Sequence, residues 1–465
     1  MNTFLARMLF RTHERLLGRK TFGILSALEA SQWWPRERIE DLQLRRLQRL
    51  VAVAYEHTPY WRAVMDGHGI HPGSILSLKD LRRFPLLTGQ TIRDHREGMV
   101  WKDEGSRVQI ARTSGSTNAA LDFYTSSSRE AHITAARMRG HKWVGVDPGD
   151  KEMYFWAAPV ELNAQDRVKR IRDFLRNDGF TNALDITPQA VARNLEIWKR
   201  WRPKCIFGYV SSFTLMARMA AEAGLDLTVL RDRGLRAIVT TSEILGENRQ
   251  IIEHAFGVPA YDSYGIRETG LIGHECQYQT MHTNDEQLIL EVLDRQTLEP
   301  TDGEGELVAT ALIGRVMPVI RYRTGDVVTL SNRPCPCGRT LASGRVTGGR
   351  LLEFIVSSEG RWVSAVAFIY VCRKIKEVLQ VQARQERLGE VRVLVVPDKD
   401  FPPDGVNRVR EAVRERMGGK DEIKVELVAE IPASPSGKQK LVVGKVAERL
   451  LAEKGGLALR AAGGG

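Results

Sequence analysis

Apolar residues recur at helical spacing through the first hundred residues of the chain. In RERIEDLQLRRLQRLVAVAYEHT, residues 36–58, apolar side chains return every three or four positions, which predicts an amphipathic helix. The next stretch, PYWRAVMDGHGIHPGSI, contains Pro and Gly, and we expect it to break that helix. Residues 1–100 are therefore predicted to be mainly helical.

A second amphipathic pattern lies within the first twenty residues. Apolar side chains are interleaved there with arginines, namely Phe4, Leu5, Met8, Leu9 and Leu16 with Arg7, Arg11 and Arg15. Two interpretations stay open, a helix docked on its own domain and a helix lying on a membrane surface. The segment lacks the apolar core of a secretory signal.

Short apolar runs alternate with amphipathic segments between about 105 and 330. EMYFWAAPV, KCIFGYV and LRAIVTTSE predict buried strands, whereas SFTLMARMAAEAG and ENRQIIEHAFG predict helices that end in Gly. This alternation predicts an α/β core with parallel strands. EQLILEVLD and GEGELVATAL, further along, predict antiparallel strands around turns.

Two domains are expected, because 465 residues exceed what a single core readily accommodates. The large N-terminal domain is predicted to be 1–347, helical over 1–100 and with an α/β core over 105–347. TGGR at 347–350 marks the predicted hinge. The small domain, 348–465, is predicted to be α+β, with strands EVRVLVVPD and IKVELVAEI, helix NRVREAVRERMG and a disordered RAAGGG tail.

Composition narrows the classes of partner. No apolar run approaches the ~18 residues that span a bilayer. The net charge of +11 suits phosphate-rich ligands such as nucleotides, nucleic acid or anionic membrane, but scattered Lys and Arg do not choose among them. No nucleic-acid motif of the usual spacing occurs, so we expect no such partner. Five cysteines, an odd number without a signal, indicate a reducing compartment and predict a cytoplasmic protein.

TSGST, Thr113 to Thr117, follows the short apolar run VQIA. A strand that enters a Gly/Ser/Thr turn presents backbone N–H groups and hydroxyls to an anion. The motif is not a Walker loop, because no Gly-Lys-Ser/Thr follows. Taken alone, the motif is weak evidence, and a flexible linker would be the favoured interpretation.

Further motifs follow in a fixed order along the chain. They are TTSE at 240–243, YDSYGIRETG at 261–270, YRTGD at 322–326, GGR at 348–350 and PASPSGKQK at 432–440. A phosphate loop, an aromatic residue with a Glu, a loop Asp, a hinge and a distant Lys resemble the motif order of the adenylate-forming, AMP-binding superfamily. TPYWRAVMDGHGI, FPLLTGQTIRDH, GEGELVATAL, PVIRYRTGDVV and CPCGR resemble its phenylacetate–CoA ligase branch and the relatives found in capsular polysaccharide clusters.

The resemblance implies a reaction and roles for individual residues. ATP and a carboxylic acid form an acyl adenylate, which the thiol of coenzyme A then attacks. The implied roles are phosphate binding by Thr113, Ser114, Gly115, Ser116 and Thr117, adenine contact by Ser242, Glu243, Tyr264 and Gly265, Mg²⁺ binding by Glu268, ribose binding by Asp326 with Arg350, and α-phosphate contact by Lys438. The small C-terminal domain is implied to be mobile, because Lys438 must swing in for adenylation and out for transfer.

Each of these residues also has a purely structural interpretation. Glu268 could cap a helix, Asp326 could close a β-turn and Lys438 could be a solvated loop lysine. Two positions depart from the pattern, since Asn118 replaces a loop glycine and Arg267 stands where a Thr or Ser precedes the glutamate. Asn tolerates positive φ better than most residues, so the turn can survive.

The cysteines carry a separate signal. Cys276 lies six residues before His282 in HECQYQTMH, and CPC supplies Cys335 and Cys337. Three sulfurs and an imidazole make a Cys₃His set, which is a common structural zinc sphere. His274 is a competing ligand, and buried free thiols are the alternative. A zinc here would tie the loop after Glu268 to the loop after Asp326.

The leading prediction is an acid–CoA ligase that uses ATP, Mg²⁺ and coenzyme A on an aryl or arylacetic acid and contains a structural Zn²⁺. A second reading is an adenylate-forming ligase or adenylyltransferase with an acceptor other than coenzyme A, for example in polysaccharide biosynthesis. A third is a nucleotide-binding protein without turnover, suggested by Asn118 and Arg267. A homodimer is left open.

Overall fold

The computed structural model describes most of the 465-residue chain. The described residues are 2–103, 108–112, 122–156, 172–183, 186–348, 354–365, 368, 372, 375, 377–431, 441–447 and 449–450. Within these ranges every helix is too short or too polar to cross a bilayer.

The helices and strands alternate much as the sequence pattern predicts. The helices are Thr3–Leu16 (α1), Thr21–Ser31 (α2), Arg36–His57 (α3), Pro59–Gly67 (α4), Gly89–His95 (α5), Ser127–Trp143 (α6), Pro188–Trp201 (α7), Val210–Glu222 (α8), Val229–Asp232 (α9), Asn248–Phe256 (α10) and Gly405–Met417 (α11), with 3₁₀ turns at Pro72–Ser74, Leu78–Arg83 and Arg96–Met99. The strands are Val108–Arg112 (β1), Asp122–Ser126 (β2), Glu152–Trp156 (β3), Asp178–Asn182 (β4), Cys205–Tyr209 (β5), Ala237–Thr241 (β6), Ala260–Ile266 (β7), Gly270–Glu275 (β8), Met281–Thr283 (β9), Leu288–Leu293 (β10), Gly305–Ala311 (β11), Tyr322–Ser331 (β12), Ser343–Gly348 (β13), Phe354–Val356 (β14), Trp362–Ser364 (β15), Val378–Gln385 (β16), Glu390–Pro397 (β17), Glu422–Leu427 (β18) and Val442–Gly444 (β19).

One large sheet organises the first 348 residues. Its eleven described strands run in the order β10-β11-β12-β13-β9-β8-β7-β6-β5-β3-β4. The strands from β4 to β7 in this order pair in parallel, and those from β7 to β10 pair antiparallel. The predictions of a parallel α/β core followed by antiparallel strands are confirmed.

Helices cover both faces of the parallel half of the sheet. On one face Trp198 of α7, Phe213 of α8 and Phe256 of α10 are fully buried in a single apolar core. On the other face Trp143 of α6 lies in one apolar cluster with Cys205 of β5 and Val239 of β6, and α2 packs against α6. Helix α10 ends at Gly257, whose φ of +65° gives the left-handed helix end that glycine adopts without strain.

The N-terminal helices attach to the sheet through buried polar contacts. Arg139 of α6 and Glu286 are both about 1% exposed, and their Nη1 and Oε1 atoms are 2.6 Å apart. Ser31 of α2 donates to the same carboxylate at 2.6 Å. The free energy lost when these two charged groups leave water is largely offset here, because each of them has several polar partners.

The break predicted after α3 is confirmed, but the segment that follows it is itself helical. Helix α3 does end at His57, but Pro59 then begins a second helix, α4, that runs to Gly67. Proline at the first helical position loses no hydrogen bond, because that N–H has no partner inside the helix anyway. Trp61 of α4 is fully buried, and its indole N–H donates to the carbonyl of Pro318 at 3.0 Å.

Helix α1 lies on its own domain, but not through the residues that give it its pattern. Ala6, Phe10 and Glu14 are buried, and the Thr3 hydroxyl donates to Asp150 at 2.9 Å. The apolar residues noted in the sequence stay at the surface, and they are Phe4, Leu5, Met8, Leu9 and Leu16. The helix is therefore docked on its own domain, through the face opposite those apolar residues.

The C-terminal part forms its own mixed sheet. Its strands run in the order β18-β17-β16-β19, and α11 packs on β18. The predicted strands at EVRVLVVPD and IKVELVAEI and the predicted helix are confirmed. The hairpin β14–β15 packs on the core of the large sheet through Phe354, Val356 and Trp362. The boundary near 348, the mobility of this part and the disordered tail stay predictions.

Candidate functional site

The carboxyl ends of parallel strands meet at one edge of the large sheet, where ligands bind in open α/β sheets. Strand β3 ends at Trp156, β5 at Tyr209 and β6 at Thr241. Tyr264 lies near the end of the neighbouring strand β7. The segments predicted to contact a nucleotide therefore lie along the same edge.

A hydrogen bond joins the two motifs at Tyr264 and Asp326. The Tyr264 hydroxyl donates to Oδ2 of Asp326 at 2.7 Å, across 62 residues of chain. Burial raises the pKa of Tyr264, so the phenol stays a donor. Asp326 is about 9% exposed, and its backbone N–H donates to the Thr324 hydroxyl at 3.0 Å. The carboxylate predicted to bind ribose is thus held in a fixed orientation.

The turn before Asp326 is held by a residue that the sequence did not single out. Glu306 of β11 accepts two hydrogen bonds from Arg323, at 3.1 and 2.6 Å, and a third from the N–H of Gly325 at 3.3 Å. Gly325 has a φ of +71°, a conformation that side chains with a Cβ rarely adopt. The YRTGD motif therefore needs Gly325 for its backbone conformation, and the hydrogen bonds to Glu306 hold the turn in shape.

Glu268 follows the end of β7 and is oriented by Tyr322. The Tyr322 hydroxyl donates to Oε1 of Glu268 at 3.1 Å. Tyr322 itself is fixed by the segment before α5, since Leu87 N–H donates to Arg321 and Leu87 C=O accepts from Arg323, both at 2.9 Å. Burial raises the pKa of Glu268, because the loss of hydration disfavours the charged carboxylate more than the charges of Arg129 and Arg267 favour it.

Arg129, near the start of α6, makes the larger of the two positive contributions at Glu268. It is 5% exposed, and its guanidinium donates to the carbonyl of Arg267 at 2.6 Å and to the Thr125 hydroxyl at 3.2 Å. Its charge acts to lower the pKa of Glu268, against the larger effect of burial. Arg129 was absent from the sequence prediction. The side chain of Arg267 lies at the surface.

Gly265 allows the tight return from β7 to β8. A Cβ at this position would lie 3.0 Å from the carbonyl oxygen of Gly270, which is tighter than ordinary contact. Replacing it would displace the segment that carries Glu268. Its role as a cofactor-binding residue stays a prediction.

Ser242 and Glu243 follow β6 and have distinct local roles. Ser242 adopts a φ of +69°, which is uncommon for a residue other than glycine and often occurs at functional sites. The Glu243 carboxylate accepts from the N–H of Ser211 at 2.7 Å, at the start of α8. A helix N-terminus favours a negative charge in this position. Their contact with adenine stays a prediction.

Aromatic side chains line the sheet next to Glu243. The ring of Trp156 stacks on Phe207 at 5.7 Å, with an interplanar angle of 10°, and lies 4.2 Å from that of Tyr209. Tyr209 immediately precedes the helix that Glu243 caps. Flat aromatic surfaces of this kind suit an apolar or aromatic ligand.

Several predicted site residues lie outside the described ranges. They are Thr113, Ser114, Gly115, Ser116, Thr117 and Asn118 of the loop, Arg350 of the hinge and Lys438 of the C-terminal loop. The strand predicted to lead into the phosphate loop is present as β1, and it pairs antiparallel with β2.

Three cysteines and a histidine meet below the antiparallel strands. The ligand atoms of Cys276, His282, Cys335 and Cys337 all lie within 4.8 Å of one another. The sulfurs of Cys276 and Cys335 are 3.8 Å apart, and Nε2 of His282 is 3.2 Å from the sulfur of Cys337. A tetrahedral zinc with Zn–S bonds of about 2.3 Å separates two sulfur ligands by about 3.8 Å. The donor set and its spacing therefore fit a zinc ion.

The other ring nitrogen of His282 supports this arrangement. Nδ1 is 3.3 Å from the carbonyl oxygen of Leu341, so a proton on Nδ1 leaves the Nε2 lone pair facing the sulfurs. The competing ligand His274 lies elsewhere, with its Nδ1 2.8 Å from the carbonyl oxygen of Glu275. The cluster links the loop after β8 to the loop after β12.

Comparison with known proteins identifies the class of fold. The chain superimposes on 2-hydroxyisobutyryl-CoA ligase in complex with 2-HIB-AMP and CoA, with a TM-score of 0.60, 19% sequence identity and coverage of 91% of this chain and 94% of that one. The fold is that of an adenylate-forming CoA ligase with a small C-terminal domain. Residues 355–445 match the family model described as the CapK C-terminal domain.

Sequence relatives give the family. The chain is 30% identical over 326 residues to the phenylacetate-coenzyme A ligase of Thermus thermophilus, covering 66% of this chain and 69% of that protein. It is 21% identical over 416 residues to Protein CapK of Staphylococcus aureus, covering 87% and 89%. The chain belongs to the phenylacetate-coenzyme A ligase family, as its motifs predicted.

Proposed function

We propose that the protein activates a carboxylic acid with ATP and transfers the acyl group to coenzyme A. Two hydrogen bonds at the carboxyl edge of the parallel strands carry this proposal. Tyr264 donates to Asp326, and Tyr322 donates to Glu268. These contacts bring a ribose-binding type of carboxylate and a cation-binding type of carboxylate to one place. Relatives named phenylacetate-coenzyme A ligase support the same reaction.

The chemistry has two steps. In the first, a carboxylate oxygen attacks the α-phosphorus of ATP, and the bond to pyrophosphate breaks as the acyl adenylate forms. In the second, the sulfur of coenzyme A, having lost its proton, attacks the acyl carbon and AMP leaves. Each step needs negative charge to be stabilised where it develops.

Residues of this chain supply binding and orientation in the first step. Asp326, held by Tyr264, accepts hydrogen bonds from the ribose hydroxyls. The loop from Thr113 to Thr117 presents N–H groups and hydroxyls to the β- and γ-phosphates. Lys438 contacts the α-phosphate and the carboxylate oxygen while charge develops there. The last two roles rest on the family motifs.

The residues around Glu268 fit a bound Mg²⁺. A carboxylate whose pKa burial raises is restored to its ionised form by a nearby cation, and magnesium is commonly held by one carboxylate together with phosphate oxygens. When bound, the ion supplies charge neutralisation at the phosphates. Tyr322 orients the Glu268 carboxylate for this contact.

An aryl or arylacetic acid is the proposed substrate class. The stacked rings of Trp156 and Phe207 supply a flat apolar surface beside the nucleotide edge. Aromatic rings prefer offset stacking or edge contacts with such a surface. The family name of the relatives points to the same class of acid.

The Cys₃His cluster is proposed to hold a structural zinc. All four positions are filled by protein ligands, which is typical of structural rather than catalytic sites. It anchors the ends of β8 and β12, and these strands carry or adjoin Glu268 and Asp326. The ion therefore contributes to the register of the two carboxylates and takes no part in the reaction.

The test is a screen of carboxylic acids for pyrophosphate release from ATP, with and without coenzyme A. The proposal expects an aryl acid to release pyrophosphate and to yield a thioester only when coenzyme A is present. Pyrophosphate release without thioester formation would favour another acceptor. ATP binding without pyrophosphate release over the whole screen would favour a binding protein without turnover.

A further inference from the structure

One surface of α1 exposes apolar side chains that nothing in the described chain covers. Those side chains are Phe4, Leu5, Met8, Leu9 and Leu16, with exposures from 37% for Leu9 to 82% for Leu16. At about 100° of rotation per residue, they fall within an arc of about 140°. The buried residues Ala6, Phe10 and Glu14 occupy the opposite side. The helix is therefore apolar toward solvent as well as toward the protein.

A row of arginines runs along one edge of this apolar arc, and its last member, Arg15, lies inside the arc. Arg7, Arg11 and Arg15 follow one another at intervals of four residues, and all three are exposed. Residues 2–20 contain five Lys and Arg but a single carboxylate, Glu14, which is buried. An apolar arc beside a row of arginines is the pattern of a helix that lies in a membrane interface.

A basic groove is linked to the start of α1. It is open, has a volume of about 670 Å³, and is lined by Lys151, Glu196, Lys199, Arg200, Arg202 and Arg233. Asp150, which precedes Lys151, accepts from Thr3 of α1 at 2.9 Å and pairs with Lys204 at 3.0 Å. The groove and the start of α1 are thus connected through one buried carboxylate.

We propose that α1 and this basic groove dock the protein on the surface of an anionic lipid bilayer. The apolar arc enters the boundary between headgroups and acyl chains, and the Lys and Arg side chains meet anionic headgroups. Charge complementarity selects this occupant, because the surface is both strongly basic and apolar. Nucleic acid would account for the basic groove but not for Phe4 or Leu16.

The location of this surface keeps the nucleotide edge free. Lys151 of the groove directly precedes β3, and Asp150, which accepts from Thr3 of α1, lies two residues before that strand, so the docking surface lies at the amino ends of the parallel strands. Trp156, Tyr209 and Ser242 lie at the carboxyl ends. A protein docked in this way keeps its site open to water.

Vesicle flotation tests the proposal with the full chain. Vesicles of phosphatidylcholine with about one third phosphatidylglycerol should bind the protein, and vesicles of phosphatidylcholine alone should bind at least tenfold less. Phe4→Ser with Met8→Ser and Leu16→Ser should reduce binding at least tenfold, as should Arg7→Glu with Arg11→Glu and Arg15→Glu. Binding should weaken as salt rises above about 0.15 M.

Control variants and a measurement of oligomeric state distinguish lipid binding from loss of folding and from dimer formation. Serine at the exposed residues Leu76, Leu388 and Leu427 removes a comparable amount of apolar surface elsewhere and should leave vesicle binding unchanged. Thermal melting checks that every variant is folded. Equal binding to both kinds of vesicle, or none to either, would overturn the proposal. So would a dimer in sedimentation that the α1 serine variant dissociates, because a second copy would then occupy this face.

Discussion

The hydroxyl of Tyr264 and the carboxylate of Asp326 are joined by a hydrogen bond of 2.7 Å between strands β7 and β12. The two residues belong to different sequence motifs, and neither orients the other through local chain geometry. Their contact fixes the orientation of the carboxylate that is proposed to bind ribose. Removing the Tyr264 hydroxyl therefore changes the orientation of Asp326 without changing its charge.

Tyr264→Phe should raise the apparent KM for ATP about tenfold or more with a smaller effect on folding. The reason is that a hydrogen bond to a charged group is worth about 1.5–3 kcal/mol. Steady-state kinetics with a responsive acid and thermal melting measure the two effects. Tyr261→Phe, on the same strand, is the control and should leave the KM for ATP unchanged. An unaltered KM in Tyr264→Phe would contradict the orienting role.

Glu268→Gln should lower adenylate formation by about 10²–10³-fold, as expected when one preorganised electrostatic group is lost. The same change should not lower stability at neutral pH. Single-turnover pyrophosphate release and thermal melting measure these outcomes, with the exposed Glu304→Gln as the control. Wild-type rates in a folded Glu268→Gln variant would remove this residue from the reaction.

The pH dependence of stability gives an independent check on Glu268. Burial raises its pKa in the folded state. A carboxyl group with a raised folded pKa contributes stability at low pH, and that contribution is lost as the pH rises through the folded pKa. In the absence of nucleotide, the melting temperature of Glu268→Gln should therefore rise relative to that of the wild type as the pH increases from about 4. A constant difference in melting temperature across this pH range would contradict the raised pKa of Glu268.

Purified protein should contain about one zinc per chain, bound by the Cys₃His cluster. Cys335→Ser should lower zinc content and melting temperature together, because the binding energy of a structural zinc contributes to folding. Cys372→Ser removes a buried thiol outside the cluster and should leave zinc content unchanged. Elemental analysis and melting curves report both quantities. Zinc-free protein prepared without chelator would exclude the site.

Lys438→Ala should separate the two half-reactions. Adenylate formation should fall by about 10²–10³-fold, since the lysine acts on charge that develops only in that transition state. Conversion of a chemically supplied acyl adenylate to the thioester should stay near the wild-type rate, because the C-terminal domain has then moved. Lys440→Ala, two residues away, is the control. An equal loss in both steps would argue for a general structural role.

The sequence pattern predicted elements whose signal is local. Strands such as Cys205–Tyr209 and helices such as Val210–Glu222 follow from apolar periodicity within their own residues. The residues that contact the site residues could not be predicted from local periodicity. Arg129 contacts the carbonyl of Arg267 across 138 residues, and only the assembled sheet brings them together.

Two local patterns left details that only the structure supplies. Pro59 follows the end of α3, as expected, and at the first position of α4 it also starts a new helix. The amphipathic pattern of α1 indicated a helix but not the face that the domain covers. Periodicity measures how apolar residues cluster around a helix, whereas the tertiary fold decides which cluster is covered, and small side chains such as Ala6 let the opposite face approach closely.

The Cys₃His cluster has a consequence for how the chain acquires its structure during synthesis. Cys276 and Cys335 are 59 residues apart in sequence, and closing a loop of that length costs about 4 kcal/mol of chain entropy. Cys276 leaves the ribosome several seconds before Cys335 at ordinary elongation rates. All four ligands of the proposed zinc site are available only after β12 has emerged, since Cys335 and Cys337 follow that strand. Capture of the proposed zinc would therefore come late in the synthesis of the large sheet, and a shortage of the ion would affect the newly made chain before the finished one.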